Sequence, residues 1–324
     1  MKNNFANQLL AECKGKKVAI MGHKSADFDC IGSCVGMHLI LKQNKIKSDI
    51  LVENDLNAVF YNIADRITYY SQPKQNYDVC IMVDCPTFSQ IPDNVVGAFT
   101  NAKTTYVIDH HITNSKYAKY NFVKQASSAC EVIFDLFEDK IKLNPQLAQA
   151  LYIGIYTDSG GFKYSNTTSH TYEVLAKLTK QKCAFDKLVH DCVDEVELTT
   201  FELTKTAFLS VEFYYNKQIA VSVIKKEDLD RLKVEHSGPK FMQSYLQNIK
   251  GVKIAICITE RVKNEYNISL RTACDNINVS AIAQHFGGGG HIRASGLTLK
   301  GEYKKALNAL VNECKKSIKG INNW

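Results

Sequence analysis

An aspartate and two histidines stand side by side in VIDHHIT, Val107 to Thr113, after Thr105 to Ile108, which read as the end of a buried strand. A lone histidine there is usually a surface residue. Asp109, His110 and His111 together form an unusual concentration of groups able to hold a metal or move a proton. Three other runs carry the same kinds of group. In GHKSADFDCIGS, His23, Asp27 and Asp29 fall between an apolar run and a helical one. Asp84, in MVDCP, follows four apolar residues, and Asp158 sits in TDSGGF, a glycine-rich turn. Each has an ordinary structural use: Asp29 as a favourable charge near a helix N-terminus, Asp84 and Asp158 as turn-forming aspartates. Jointly they are harder to dismiss, because grouped carboxylates raise one another's pKa unless a cation neutralises them. A pair of divalent ions resolves the conflict. Oxygen-rich donor sets with a minority of imidazoles favour Mn²⁺ or Mg²⁺ over zinc. Two such ions about 3.5–4 Å apart are a common device for hydrolysing a phosphoester.

The elements that must position these groups follow a simple pattern. KKVAIMGH reads as a short buried strand, and DCIGSCVGMHLILKQN after it has Ile31, Val35 and Leu39 on one helical face. SDILVEN, YDVCIMVDC and TTYVIDHH are further strands, while SACEVIFDLFED and PQLAQALYIGIYTDSG are helical. Such alternation predicts an α/β domain with a mostly parallel sheet flanked by helices. Ligands of these sheets gather beyond the carboxyl ends of the strands. His23, Asp84 and Asp109 each follow an apolar strand run, so all three should meet at one edge. Asp27 and Asp29 share with His23 the loop before the first helix. Asp158 ends a helical run, and its glycines suit it to turning inward.

From Ser169 to Val211 the chain looks helical, and beyond it QIAVSVI, KIAICIT, YNISLRT and LTL are strand-like around the helical NVSAIAQHF, before a Lys-rich final helix. The pattern divides into a larger metal-binding domain at 1–185, a helical connector at 186–213 and a smaller α/β domain at 214–324. An active-site cleft is expected between the two domains.

Composition narrows the class. A chain of 324 residues exceeds what one hydrophobic core usually supports, and 45% hydrophobic residues with only 5 Pro argue against long disordered tails. The net charge of +7 is scattered, which permits a phosphate-bearing substrate without demanding one. The 11 cysteines lack a repeated CxxC spacing and MKNNFANQLL lacks an apolar signal core, so the thiols read as reduced and the protein as cytoplasmic. No window approaches the ~18–20 consecutive apolar residues of a membrane span. The chain therefore reads as soluble, with no membrane partner.

In FGGGGHIRASG, Gly287, Gly288, Gly289 and Gly290 precede His291. A glycine run can offer successive N–H groups to a phosphate or merely cap a helix, and the neighbouring His291 and Arg293 favour the first use. Arg271, ending NISLRT, offers a bidentate grip on phosphate or carboxylate, or is a surface arginine of an edge strand. His285 ends the preceding helical run.

In this order and spacing, HKSADFDCIGS, VDC, DHH and TDSGGF resemble the motifs of the DHH superfamily of phosphoesterases. GGGGHIRASG resembles its subgroup with a C-terminal DHHA1-type substrate-binding domain. The likeness spans nearly the whole chain. In size and layout it resembles bacterial bifunctional oligoribonucleases that degrade nanoRNA and convert 3′-phosphoadenosine 5′-phosphate to AMP. The resemblance implies one Mn²⁺ held by His23, Asp27 and Asp84, and a second held by Asp29, Asp84, His110 and Asp158, with Asp84 bridging. It leaves His111 for the phosphate, as hydrogen-bond or proton donor, and Asp109 to orient an imidazole. Arg271, Gly287 to Gly290 and His291 would line the substrate side.

Ala26 stands where the family commonly has proline, Phe28 fills a position often small and narrows the entrance, and Ser159 keeps the hydroxyl of the family's threonine. Short RNA oligonucleotides and phosphorylated adenosine nucleotides are the expected substrates. Mg²⁺ can stand in for Mn²⁺, and a homodimer is compatible with the reading. Two other enzymes share the metal chemistry, a linear dinucleotide phosphodiesterase and an inorganic pyrophosphatase; GGGGH suits an organic nucleotide better than a small symmetric anion. The non-enzyme alternative is a nucleic-acid-binding protein retaining the fold, against which the complete ligand set argues.

Overall fold

The chain opens with α1 (Lys2–Cys13) and β1 (Val18–Met21), followed by α2 (Phe28–Gln43), β2 (Ser48–Leu51), β3 (Tyr69–Tyr70) and β4 (Val79–Val83). Next come α3 (Val96–Asn101), β5 (Thr104–Asp109), β6 (Tyr120–Val123), α4 (Ala129–Phe137), α5 (Pro145–Asp158), α6 (Ser169–Leu178) and α7 (Phe185–Val189). These elements form a first unit ending at Glu195. The computed structural model describes residues 2–53, 69–234 and 242–319; Asn54, the last residue of SDILVEN, lies outside them.

All residues of β1 and β4 are buried, as expected for strands covered on both faces. The sheet order is β3-β2-β1-β4-β5-β6, parallel throughout. Successive strands therefore run outward in opposite directions from the β1–β4 seam, which is the switch point where such sheets open a crevice. Val18 and Ile20 of β1 enter one apolar cluster with Leu9, Ile31 and Leu151; Ala19 and Met21 enter another with Tyr77, Val95 and Phe99.

The helix after β1 departs from its expected amphipathic form. Ile31, Val35 and Leu39 are buried, but so is nearly every residue from Asp29 to Leu41. The reason is crowding on both sides. A Cβ at Gly32 would sit 2.4 Å from the Ala150 carbonyl oxygen of α5, and one at Gly36 2.9 Å from the Leu151 side chain. Glycines at these positions let the backbones of α2 and α5 approach closely. The polar β6, YNFV, carried no apolar run to mark it, and its residues are only half-buried.

The second unit begins at Val196. It comprises α8 (Leu198–Leu209), β7 (Glu212–Tyr214), β8 (Ile219–Ile224), α9 (Lys226–Leu232), α10 (Met242–Gln247), β9 (Ile254–Val262) and β10 (Glu265–Arg271). It continues with α11 (Val279–His285), β11 (Gly289–His291), β12 (Ala294–Lys300) and α12 (Tyr303–Lys319). The sheet is mixed, in the order β11-β12-β10-β9-β8-β7, with β8 and β9 parallel and the other pairs antiparallel. One face packs on α11 and α12 through Ile282, Leu310 and Cys314; the other packs on α8 to α10 through Leu203, Leu229 and Leu246.

Candidate metal centre

Because β1 and β4 are neighbours at the switch point, residues just past their carboxyl ends face one another. His23 follows β1 by two residues and Asp84 follows β4 directly. Asp84 has φ 51°, left-handed backbone that aspartate tolerates better than most residues. Its N–H donates to the Ile108 carbonyl at 3.0 Å, which ties this turn to β5. The two carboxylate oxygens then look in different directions. Oδ2 lies 3.5 Å from His23 Nε2, and Oδ1 lies 3.5 Å from His110 Nε2 and 3.7 Å from His111 Nδ1.

Asp29 is not in the loop where the sequence placed it. It occupies the first turn of α2, only 1% exposed, because Asp27 is the cap that starts the helix. Asp27 Oδ1 accepts the N–H groups of Asp29 and Cys30, each at 3.0 Å, and lies 4.0 Å from His23 Nε2. The Asp29 carboxylate accepts the N–H groups of Ala129 at 2.6 Å and Cys130 at 3.0 Å, at the start of α4. A Cβ at Gly154 would stand 2.7 Å from Asp29 Oδ1, so only glycine leaves room for that carboxylate against α5. Asp158, the last residue of α5, brings Oδ2 to 3.6 Å from His110 Nε2, and Asp29 Oδ2 is 4.0 Å from the same nitrogen.

Backbone carbonyls orient the imidazoles. His23 Nδ1 lies 2.6 Å from the Lys24 oxygen, and His110 Nδ1 3.3 Å from the Ala126 oxygen. Each carbonyl accepts the Nδ1–H and turns Nε2 toward the carboxylates, where it carries a proton or, once that is lost, a lone pair for a cation. Asp109 is the final residue of β5, not the residue after it, and is fully buried. Its Oδ1 accepts the His110 N–H and the His111 Nδ1–H, both at 2.8 Å; its Oδ2 accepts Asn114 Nδ2–H at 2.6 Å. These bonds occupy both of its oxygens and leave His111 Nε2 without a claim from Asp109. Phe28 and Ala26 pack against the apolar core, and buried Ser159 accepts the Phe162 N–H in the TDSGGF turn.

Cys30, Asn114, Gly154 and Asn166 went unread in the sequence. Asn166 donates from Nδ2 to the Ser127 oxygen at 2.9 Å and the Asp158 oxygen at 3.1 Å, anchoring the end of α5. An asparagine in a loop reads only as a turn former, and no periodicity marks these contacts.

The electrostatics call for a cation. Burial, with Asp84 and Asp158 nearby, pushes Asp29 well above the usual carboxylate range. Burial, opposed by His110, pushes Asp158 up to about 6. Burial would raise Asp84 as well, but His110 and His23 hold it below the ordinary value. Burial would lower both imidazoles, yet Asp84 raises His23, and Asp84 with Asp29 and Asp158 raises His110 to about 10. Imidazole protons thus balance the carboxylates, and a divalent cation can replace them. Asp84 Oδ1 is buried without a hydrogen-bond partner among the described residues, an arrangement that costs about 1–3 kcal/mol unless an ion meets it. Around this centre, donor atoms within 4.8 Å of one another fall into the sets Asp84–Asp109–His110–His111, His23–Cys30–Asp84 and Asp29–His110–Asp158. The residues fit a divalent metal.

The remaining sequence candidates belong to the second unit. Gly287, at φ 78°, follows α11, and the N–H groups of Gly287 and Gly288 donate back to Gln284 and Ala283. Gly289 to His291 pair with β12 as a hairpin strand. A Cβ at Gly288 would lie 2.3 Å from the Gly296 oxygen, so the cluster is a close backbone packing as well as a turn. His291 is exposed, as is His285; Arg293 pairs with Asp275, and half-buried Arg271 donates from Nη1 to its neighbour Leu270's oxygen at 2.9 Å.

A parallel sheet with carboxylates and imidazoles gathered at its switch point, followed by a mixed-sheet unit, defines the class: a two-unit α/β protein with a candidate divalent-metal site. The first unit matches the DHH family, N-terminal domain, over residues 17–155, and the second the DHHA1 domain over residues 216–319. The chain is 30% identical over 308 residues to the bifunctional oligoribonuclease and PAP phosphatase NrnA of Mycoplasma genitalium, covering 93% of this chain and 94% of that protein. It is 26% identical over 286 residues to the protein of the same name from Bacillus subtilis, covering 86% and 87%. The crystal structure of an exopolyphosphatase-related protein from Bacteroides fragilis has the same fold, with a TM-score of 0.84 and 20% identity over 97% of this chain and 96% of that one. The chain belongs to the DHH family.

Proposed function

We propose that this protein is a phosphoesterase that hydrolyses short oligoribonucleotides to mononucleotides and 3′-phosphoadenosine 5′-phosphate to AMP. The observation that carries the reading is the Asp84 carboxylate, with one oxygen toward His23 and the other, unpartnered, toward His110. His23, Asp27 and Asp84 would hold one Mn²⁺, and Asp29, Asp84, His110 and Asp158 the other. Bound there, the two ions would activate a water and stabilise charge on the phosphoryl oxygens.

The chain's own residues do the rest. Asp109 fixes the tautomer of His111, so that Nε2 can accept a proton from solvent and deliver it, or a hydrogen bond, to the phosphate. In the second unit Arg271 supplies a planar cation and His291 an exposed imidazole for the nucleotide. The division of labour places catalysis in residues 1–185 and substrate recognition in 214–324, with cytoplasmic nanoRNA and phosphorylated adenosine nucleotides as substrates.

The test is an assay with Mn²⁺ comparing labelled di- to pentanucleotides, 3′-phosphoadenosine 5′-phosphate, a linear diadenylate and pyrophosphate. Turnover of the first two substrate kinds, abolished by Asp84→Ala, is the expected result. Pyrophosphate as the sole good substrate would overturn the reading, and nucleotide binding that survives Asp84→Ala, with no hydrolysis by the unaltered protein, would favour a binding protein.

A further inference from the structure

Asp27 and Cys30 both approach the His23 imidazole. The Asp27 side chain is 60% exposed and commits Oδ1 to the start of α2. Cys30, one residue into the interior from Asp29, is wholly buried. Its Sγ presses on the backbone of Gly22, where an added Cβ would stand 2.1 Å away. Glycine between β1 and His23 therefore makes room for a sulfur beside the imidazole. Cys30 Sγ, a His23 ring nitrogen and an Asp84 carboxylate oxygen lie within 4.8 Å of one another. Asp84 is 2% exposed, and its Oδ2, on this side, lies 3.5 Å from His23 Nε2, while its unpartnered Oδ1 faces His110. The Lys24 carbonyl engages His23 Nδ1 and leaves Nε2 as the ring nitrogen toward Asp84.

We propose that Cys30 is a metal donor, making the His23 side of the centre a mixed nitrogen, oxygen and sulfur site. This inference rests on the metal-centre reading above and adds a ligand to it. Thiolate and imidazole together select Zn²⁺, Co²⁺ or Cd²⁺, whereas the His110–Asp29–Asp158 side offers only nitrogen and oxygen and suits Mn²⁺ or Mg²⁺. On binding, the Cys30 S–H bond breaks, its proton passes to solvent and a sulfur lone pair forms the bond to the cation. No oxidation state changes. The two sides of one centre thus prefer different ions, and a thiophilic cation would displace Mn²⁺ from one side first.

The experiment titrates the full chain, stripped of metal and kept reduced, with Co²⁺ and follows its absorption spectrum. A sulfur-to-cobalt charge-transfer band is expected in the unaltered protein and should vanish in Cys30→Ser. In the same variant Zn²⁺ affinity should fall by at least about 10-fold, the lower end for losing even an outer partner of a metal site, with Mn²⁺ affinity on the other side retained. Cadmium NMR of the unaltered protein reads sulfur coordination without any substitution and so does not depend on the variant folding. Stoichiometric Co²⁺ without a sulfur band, or an unchanged band in Cys30→Ser, would overturn the role of Cys30 while leaving the metal centre standing. Failure to bind Co²⁺, Zn²⁺ or Mn²⁺ at all would remove the metal centre itself, and this inference with it.

Discussion

The two sides of Asp84 are built on different plans. Around Oδ1, His110 follows β5, Asp29 belongs to α2 and Asp158 ends α5, and their meeting depends on α2, α4 and α5 packing closely. On the side of His23, whose Nε2 lies 3.5 Å from Oδ2, His23, Asp27 and Cys30 all come from residues 23–30, and Asp27 caps the helix that carries Cys30. The first side is over-determined by tertiary contacts and holds only nitrogen and oxygen donors. The second is local, partly open and includes a thiol. Shared ownership of one carboxylate couples two neighbourhoods whose stability has different sources.

The substitution that breaks the comparison outright is Asp84→Ala, which removes the shared group. Turnover should fall on the order of 10³-fold, the upper end for a single electrostatic group, and equilibrium dialysis should show divalent ions weakened on both sides. Retention of full affinity on one side would assign Asp84 to the other alone. Next in size, His111→Ala should lower kcat roughly 10²-fold, as loss of a proton-transfer group does, with metal content unchanged. His110→Ala should instead lower metal content, measured by elemental analysis. Equal metal loss in both variants would contradict the separation of the adjacent rings.

Gly154→Ala probes the packed side only. The added methyl meets Asp29 Oδ1 and Cys130 Sγ, so a loss of about 1–3 kcal/mol in thermal unfolding is expected from overpacking. Mn²⁺ affinity should fall with it, while ion binding at the His23 side persists. The smallest effect is a pH dependence. In chelated protein His110 is raised from 6.5 to about 10, because burial, which disfavours its charge, is outweighed by Asp84, Asp29 and Asp158. A raised imidazole contributes stability below its unfolded value, and that contribution is lost as pH climbs through the folded one. Asp158, raised to about 6, has imposed its cost by neutral pH, and the raised Asp29 lowers stability in the same direction as pH climbs. The melting temperature of chelated protein should therefore fall between pH 7 and about 10, and Mn²⁺, by replacing the protons, should flatten the curve. A flat curve without metal would show that the imidazoles do not carry the balancing charge.

Much of the centre was legible because its donors stand where strands end. Apolar runs before Asp84 and Asp109 marked β4 and β5, and alternation of strands with helices implied the parallel sheet that brings their ends together. Asp29 was misplaced into the loop because a helix boundary is set by which residue's side chain accepts the first N–H groups. Here that residue is Asp27. Cys30 stayed hidden because a buried thiol has the same apolar signature as its neighbours Ile31 and Val35.

By itself, the sequence determined the kinds of donor, their order and the sheet that carries them, since these follow from composition and from local periodicity. Tertiary structure alone decided which oxygen of Asp84 faces which imidazole, that Asn114 and the two histidine N–H groups saturate Asp109, and that Gly154 leaves space for Asp29. Those facts rest on distances between segments as far apart as Asp29 and Ala129, 100 residues along the chain. Periodicity reports only which face of an element is buried, whereas such distances are set by how closely whole elements pack.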